Sequence, residues 1–263
     1  MITIFTPTYN RAYRLPDLYH SLQRQTDKSF EWLVIDDGST DDTSELFDKW
    51  QKENNAFSIR YIKQPNGGKH RAINRGVKEA HGEYFFIVDS DDQLTDDAVK
   101  QINSLVPQVN ADSKICGMCF RCKDLKTNKI IGILFPVDGM VASSLEWVYK
   151  YHVVGDKSEV VSTEVLRQYP FPEFDGENFV PEALIWNRIA DSYRMICKNT
   201  GIYLCEYLPD GLSAGFKRNL KRNPRGFGLF YCETMKRCIS TKVTIKNMLR
   251  AVQCWWYALK WRK

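Results

Sequence analysis

Short apolar runs bounded by turn residues open the chain, at Ile2 to Thr6, Glu31 to Ile35, Ser58 to Ile62 and Tyr84 to Val88. Runs of this length without regular polar alternation are the pattern of parallel strands buried on both faces. Between them the period changes to that of a helix. Leu15, Leu18, Tyr19 and Leu22 share one face, with Pro16 in the first turn. A second helix passes through Leu46 and Trp50 after the capping stretch Ser39 to Asp42, and a third through Ala72, Val77 and Ala80. Strand alternating with helix predicts an α/β protein built on a doubly wound, mostly parallel sheet. Ligands of such sheets lie beyond the carboxyl ends of the strands. The chain puts its unusual polar residues there: Thr6 to Asn10, Asp36 to Asp42, Asn66 to Lys69 and Asp89 to Asp92. Four loops are therefore expected to line one crevice.

From Val99 to Leu212 the pattern is less regular. It predicts a helix to about Val106, a strand pair at Ile115 to Arg121 and Ile130 to Phe135, and a helix through Leu145 and Val148. The stretch Pro170 to Asn178, rich in Pro, Gly and acids, reads as a loop. It delivers Glu182 to the start of a helix through Leu184, Ile185 and Ile189. From Ile245 apolar residues recur at Met248, Leu249, Val252, Trp255, Trp256 and Leu259, the stripe of an amphipathic helix, with Lys246, Arg250, Lys260, Arg262 and Lys263 nearby. The expected organisation is 1–98, 99–213 and a basic helical tail at 214–263.

At 263 residues and 43% hydrophobic, the chain can bury a sizeable core. Its net charge of +5 hides an asymmetry: from Gly215 onward 13 Lys or Arg face the single acid Glu233, which leaves the first 214 residues acidic. Tryptophan and lysine together on the tail helix suit an anionic lipid surface, and packing on the rest of the protein or on a second subunit is the competing expectation. No run approaches the roughly 20 apolar residues of a spanning helix, and the first residues lack the basic-then-apolar layout of a signal peptide. A cytoplasmic place, peripheral on the inner face of the membrane, is expected. The eight cysteines then read as free thiols. Cys116, Cys119 and Cys122 lie in an apolar run without a fourth ligand at finger-like spacing, so zinc is not expected. The four histidines share no spacing, and none is assigned to a metal.

In Val88-Asp-Ser-Asp-Asp92 three carboxylates crowd the end of a strand. Like charges so close are costly unless a cation joins them, and a hard divalent ion with oxygen ligands fits. A capping turn explains the same residues equally well. The wider motif set separates the two. TPTYN (Thr6 to Asn10), VIDDGSTDDT (Val34 to Thr43), NGGKHRAINRG (Asn66 to Gly76), HGEYFFIVDSDD (His81 to Asp92) and WNRIA (Trp186 to Ala190), in this order, resemble glycosyltransferase family 2.

The resemblance implies a GT-A fold with a nucleotide-sugar-binding half (1–98) and an acceptor-binding half (99–213). It further implies inverting transfer from a nucleotide-diphosphate sugar, here a UDP-sugar, with Mg2+ or Mn2+. Carried over by motif position, Pro7, Thr8 and Tyr9 border the nucleotide, and Asp37 accepts a hydrogen bond from the base. Lys69 meets the diphosphate. Asn74 and Arg71 contact the donor or brace the aspartate loop. Asp89 and Asp91 hold the metal, and Asp89 and Asp92 border the donor. Glu182 is the base, although this chain has Pro181-Glu182 where the family more often has Glu-Asp, which keeps Asp175 and Glu177 as alternatives. Asp156 and Lys157 face the sugar or form a surface turn. The implied acceptor is a saccharide or lipid-linked saccharide of a bacterial surface polysaccharide or glycolipid. A nucleotidyltransferase is the rival enzyme class, but TPTYNRAYRL lacks its Gly-rich phosphate loop. An inactive nucleotide-binding scaffold is the other rival. Nucleic acid is not an expected partner, because the acidic front repels phosphates.

Overall fold

The computed structural model describes residues 1–206, 215–237 and 240–260. The boundary expected at 213/214, Leu212, Cys238, Arg262 and Lys263 lie outside these residues. The front of the chain alternates as its apolar pattern requires: β1 (Ile2–Thr8), α1 (Leu15–Gln23), β2 (Phe30–Asp36), α2 (Thr43–Trp50), β3 (Ser58–Lys63), α3 (Lys69–Glu79) and β4 (Tyr84–Ile87). β1 lies between β2 and β4, and β3 follows β2 at the edge, with all three pairings parallel. Every residue of β1 and β2 is buried, the reason these strands read as unbroken apolar runs.

The later half contributes β5 (Gln93–Leu94), α4 (Ala98–Asn110), β6 (Ile115–Asp124), β7 (Met140–Ala142), β8 (Lys157–Ser162), α5 (Thr163–Gln168), α6 (Ala183–Ala190) and β9 (Arg194–Cys205). Among the described residues the nine strands form one sheet, in the order β3-β2-β1-β4-β8-β6-β9-β5, with β7 also on β9. β8 turns the sheet from parallel to mixed by pairing antiparallel with both β4 and β6. The strand expected at Ile130 to Phe135 does not form; Ile130 makes only an isolated bridge to Lys123. β8 covers one edge of β6 only over Gly117 to Arg121, so Ile130 reaches the edge just beyond it, and Gly132, at φ +83°, then breaks the extended run. The helix expected through Leu145 and Val148 is a single π-turn, Glu146–Lys150, that buries Trp147.

Two cores sandwich the sheet. One packs α1, α2 and α4 around Trp32, whose indole N–H donates to Thr6 Oγ1 at 3.0 Å, and Tyr19 stacks on Trp50 beside it. The other packs α3, α5 and α6 around Phe5, Phe85 and Ile185. Side chains of this size contribute roughly 1.5–3 kcal/mol each when fully buried. Cys116, Cys119 and Cys122 are buried strand residues of β6 with free thiols. Beyond residue 214 the described chain is helical: α7 (Phe216–Arg222), α8 (Pro224–Lys236) and α9 (Thr241–Lys260). α8 and α9 pack around Phe227, Tyr231 and Cys254. The bidentate pair Arg188–Glu233 ties α8 to α6. Among the described residues no helix is long and apolar enough to cross a membrane.

Candidate active site

The loops after β1, β2, β3 and β4 do meet beyond the carboxyl ends of the parallel strands. The backbone N–H of Asp37 donates to Thr8 O at 2.8 Å, and that of Gln64 to Asp36 O at 2.8 Å. Asn10, in a left-handed conformation, accepts from Thr40 N at 2.8 Å and donates its own N–H to Ser39 Oγ at 2.9 Å. Pro7 and Thr8 are buried, and Tyr9 is half exposed at the rim. Thr8 Oγ1 is buried with no partner among the described residues, a polar atom left to a ligand or water.

Asp37 does more than the resemblance implies. Its carboxylate accepts from Gly67 N at 3.0 Å, Gly68 N at 2.7 Å and Gln64 Nε2 at 2.8 Å, shaping the loop that starts α3. About four acceptor positions exist on a carboxylate, so one is left for a base N–H. Asp36 braces the loop after β2 instead: it accepts from Ser39 N at 2.7 Å and from Tyr61 OH, on β3, at 2.5 Å.

Lys69 opens α3, and its ammonium joins two distant parts of the sequence. Nζ lies 2.7 Å from an oxygen of Asp89, after β4, and 2.8 Å from Oε1 of Glu182, at the N-cap position of α6. Burial works against its charge, but Asp89 and Glu182 outweigh it and hold the lysine well above its usual range. Behind it, burial and the Asp89 charge raise Asp91 and push Asp92 up to about 8. Asp92 accepts from Tyr203 OH at 2.7 Å, and the same hydroxyl accepts from Asp89 N at 3.0 Å. Tyr203 thus pins both ends of the aspartate turn from β9. It has no local sequence motif, and reasoning along the chain misses it.

The carboxylates fit a divalent cation. Their crowding holds protons on groups that a hard cation would keep ionised. Among the described residues no three His, Cys, Asp or Glu side chains are grouped so that they alone could hold a metal ion. An ion of the Mg2+ type takes one or two carboxylates and completes its shell with phosphate and water.

Asn74 and Arg71 both bind the 170–178 loop. Asn74 donates to Phe171 O at 2.9 Å and Glu173 Oε1 at 2.8 Å and accepts from Phe171 N at 2.8 Å, which commits its amide to the 171–173 segment. Arg71 reaches Gly67 O at 2.6 Å, Glu177 O at 2.7 Å and Phe174 O at 2.9 Å, so it clamps the 170–178 loop onto the Lys69 loop. Glu177 is committed too: its carboxylate accepts from Arg225 N at 2.7 Å and Gly226 N at 2.9 Å at the start of α8. Lys157 folds back onto Val153 O and Gly155 O, both at 2.9 Å.

Glu159 on β8 is a second feature that the sequence does not announce, a lone acid in a strand. Burial pushes it up to about 7, against the pull of Lys157 and with Glu182 adding to the rise. A raised carboxyl stabilises the fold below its unfolded value, near 4.5, and loses that contribution as pH rises toward 7. Glu159→Gln stays neutral throughout. Its stability relative to the parent is expected to rise by roughly 1–3 kcal/mol between about pH 5 and about pH 8, read from urea midpoints. Parallel pH profiles would put this carboxyl in solvent.

The family model for glycosyl transferase family 2 matches residues 3–166. Glycosyltransferase GlyG of Streptococcus pneumoniae is 34% identical over 113 residues, 43% of this chain and 37% of that protein. The poly(ribitol-phosphate) beta-N-acetylglucosaminyltransferase TarS of Staphylococcus aureus is 30% identical over 112 residues, 42% of this chain and 19% of that one. The match spans well under half the length of either curated relative. Residues 1–349 of S. aureus TarS, solved with UDP-GlcNAc, superpose with a TM-score of 0.71 at 18% identity, covering 96% of this chain and 71% of that one. The mannosyltransferase PcManGT of Pyrobaculum calidifontis, solved with GDP-Man and Mn2+, gives 0.64 at 16% identity, covering 97% of this chain and 73% of that one.

Proposed function

Because the chain belongs to glycosyl transferase family 2 and has the GT-A fold, we propose that it is an inverting hexosyltransferase. In this reading it moves a sugar from a UDP-sugar onto a hydroxyl of a saccharide or lipid-linked saccharide, in the cytoplasm, during synthesis of a bacterial surface polysaccharide. One observation carries the reading: a single ammonium, that of Lys69, touches both the aspartate turn and Glu182. Leaving-group residues and a candidate base therefore flank one point in space. The UDP-GlcNAc complex of TarS supports the donor class, and the Mn2+ complex of PcManGT supports a metal.

The chain's own residues divide the work. Pro7, Thr8 and Tyr9 line the nucleotide, and Asp37 takes the base N–H on its remaining lone pair. Lys69 turns its charge toward the diphosphate, where a flexible point charge suffices. Asp89 and Asp91 would hold Mg2+ or Mn2+, with Asp92 behind them. When bound, the ion neutralises charge on the diphosphate. Glu182 accepts the proton of the acceptor hydroxyl as its oxygen bonds to the anomeric carbon, and the bond from that carbon to the diphosphate breaks on the opposite side. One base on the acceptor side gives inversion. Asn74 and Arg71 act through the loops they hold.

Isothermal titration with UDP, with and without Mn2+, tests the proposal. Binding is expected to tighten about tenfold or more with the ion, and Asp91→Ala should remove that gain while keeping the metal-free affinity. UDP, GDP and dTDP all failing to bind would sink the transferase reading.

A further inference from the structure

Helix α9 turns its most apolar stripe outward. Its inner side meets α8 through Asn247 and Cys254, which are buried, and Ala251 and Tyr257, which are partly buried. The stripe from Ile245 to Leu259, which includes Leu249, Trp255 and Trp256, is 45–64% exposed. At 100° per residue it covers an arc of about 120°. A helix that served only to cap the protein would bury this side and expose the other. Lys242, Lys246 and Lys260 fall along one flank of the stripe on the same helical wheel, with the Lys260 ammonium 4.0 Å from the Trp256 ring centroid. α9 contains no acidic residue, and the only acid in the described residues after 214, Glu233, is paired with Arg188.

We propose that α9 lies in the plane of an anionic bilayer, with the tryptophan stripe among the acyl chains and the lysine flank at the headgroups. A broad apolar arc, two tryptophans and a border whose charges are all cationic suit that occupant. A protein partner would have to match the apolar arc and supply acids along one border only. The inference rests on the transferase reading in one respect: it makes the acceptor lipid-carried. The helix pair is also fastened to the site. Glu177 takes two N–H groups at the start of α8, and Asn223 Oδ1 accepts from Asn178 N at 2.8 Å, next to the Lys69 loop.

Co-sedimentation of the full chain with phosphatidylglycerol-containing vesicles, against phosphatidylcholine alone, tests it. The full chain is expected to bind the anionic vesicles at least about tenfold more tightly and to release as salt rises. The double substitution Trp255→Ala and Trp256→Ala should weaken vesicle binding about tenfold or more with unchanged helix content and unchanged UDP titration. Equal binding to both vesicle types, or by parent and double variant, overturns the proposal. So does a dimer in sedimentation velocity that the double substitution dissolves while vesicles capture nothing, since the stripe then meets a second copy. Vesicle binding needs neither donor nor metal, so its failure leaves the transferase reading untouched.

Discussion

Glu182→Gln is expected to lower turnover about 1,000-fold while UDP-sugar affinity stays within about twofold of the parent. The amide keeps the size of the carboxyl and its place at the N-cap of α6, but it cannot take a proton from the acceptor hydroxyl. Lys69 loses one of two anionic partners and retains Asp89 at 2.7 Å, so the ammonium stays in place for the diphosphate. The separation of effects is the informative part: a structural role would move affinity and turnover together. Steady-state kinetics beside donor titration measures both. Unchanged turnover would pass the proton to another carboxyl, with Asp175 the remaining alternative because Glu177 is occupied by α8.

Gly68→Ala is expected to damage fold and site together. Gly68 sits at φ +96°, where an L side chain is strained by about 1–3 kcal/mol. A Cβ there would also lie 1.8 Å from Asn178 O, a contact that backbone must move to relieve. Together these should cost roughly 3 kcal/mol, a fall in melting temperature of about 5–10 °C. Because Gly68 N also donates to Asp37, donor affinity should drop about tenfold or more in the folded fraction. A variant with parental melting temperature and UDP affinity would show that the 176–179 loop moves aside at no cost.

The parallel block was legible because β1, β2 and β4 are buried on both faces, which leaves an unbroken apolar run at each. The aspartate turn and Lys69 were legible for a related reason: polar residues stand out at the end of such a run. Legibility fails where pairing is decided at long range. Lys157–Ser162 carries Lys, two Ser and Glu in six positions, yet it forms the hinge between parallel and mixed parts of the sheet. Ile130 to Phe135 looks more strand-like, yet it meets β6 only at the Lys123 bridge before Gly132, at φ +83°, breaks the run. The partners of the aspartate turn are hidden in the same way. Tyr203 reaches Asp92 from 111 residues away, and no local spacing encodes that contact. For Asn74 and Arg71 the sequence located the right helix, but a long polar side chain at a loop can point at a ligand or at the next loop. Here backbone carbonyls of 171–177 claim both.

The hydrogen bonds from α8 to Glu177 set a rule for anyone who exchanges pieces of this protein. The helices after residue 214 are not an appendage that can be cut off or swapped at will, because Glu177 and the amides of Asn178 and Phe179 use α8 and its cap residue as partners. A chimaera that imports another tail must bring an asparagine at 223 and open amides behind it. Without them it inherits an unneutralised acid beside its own Lys69 loop, and a loss of activity would then report a broken seam, whatever the new tail was meant to do.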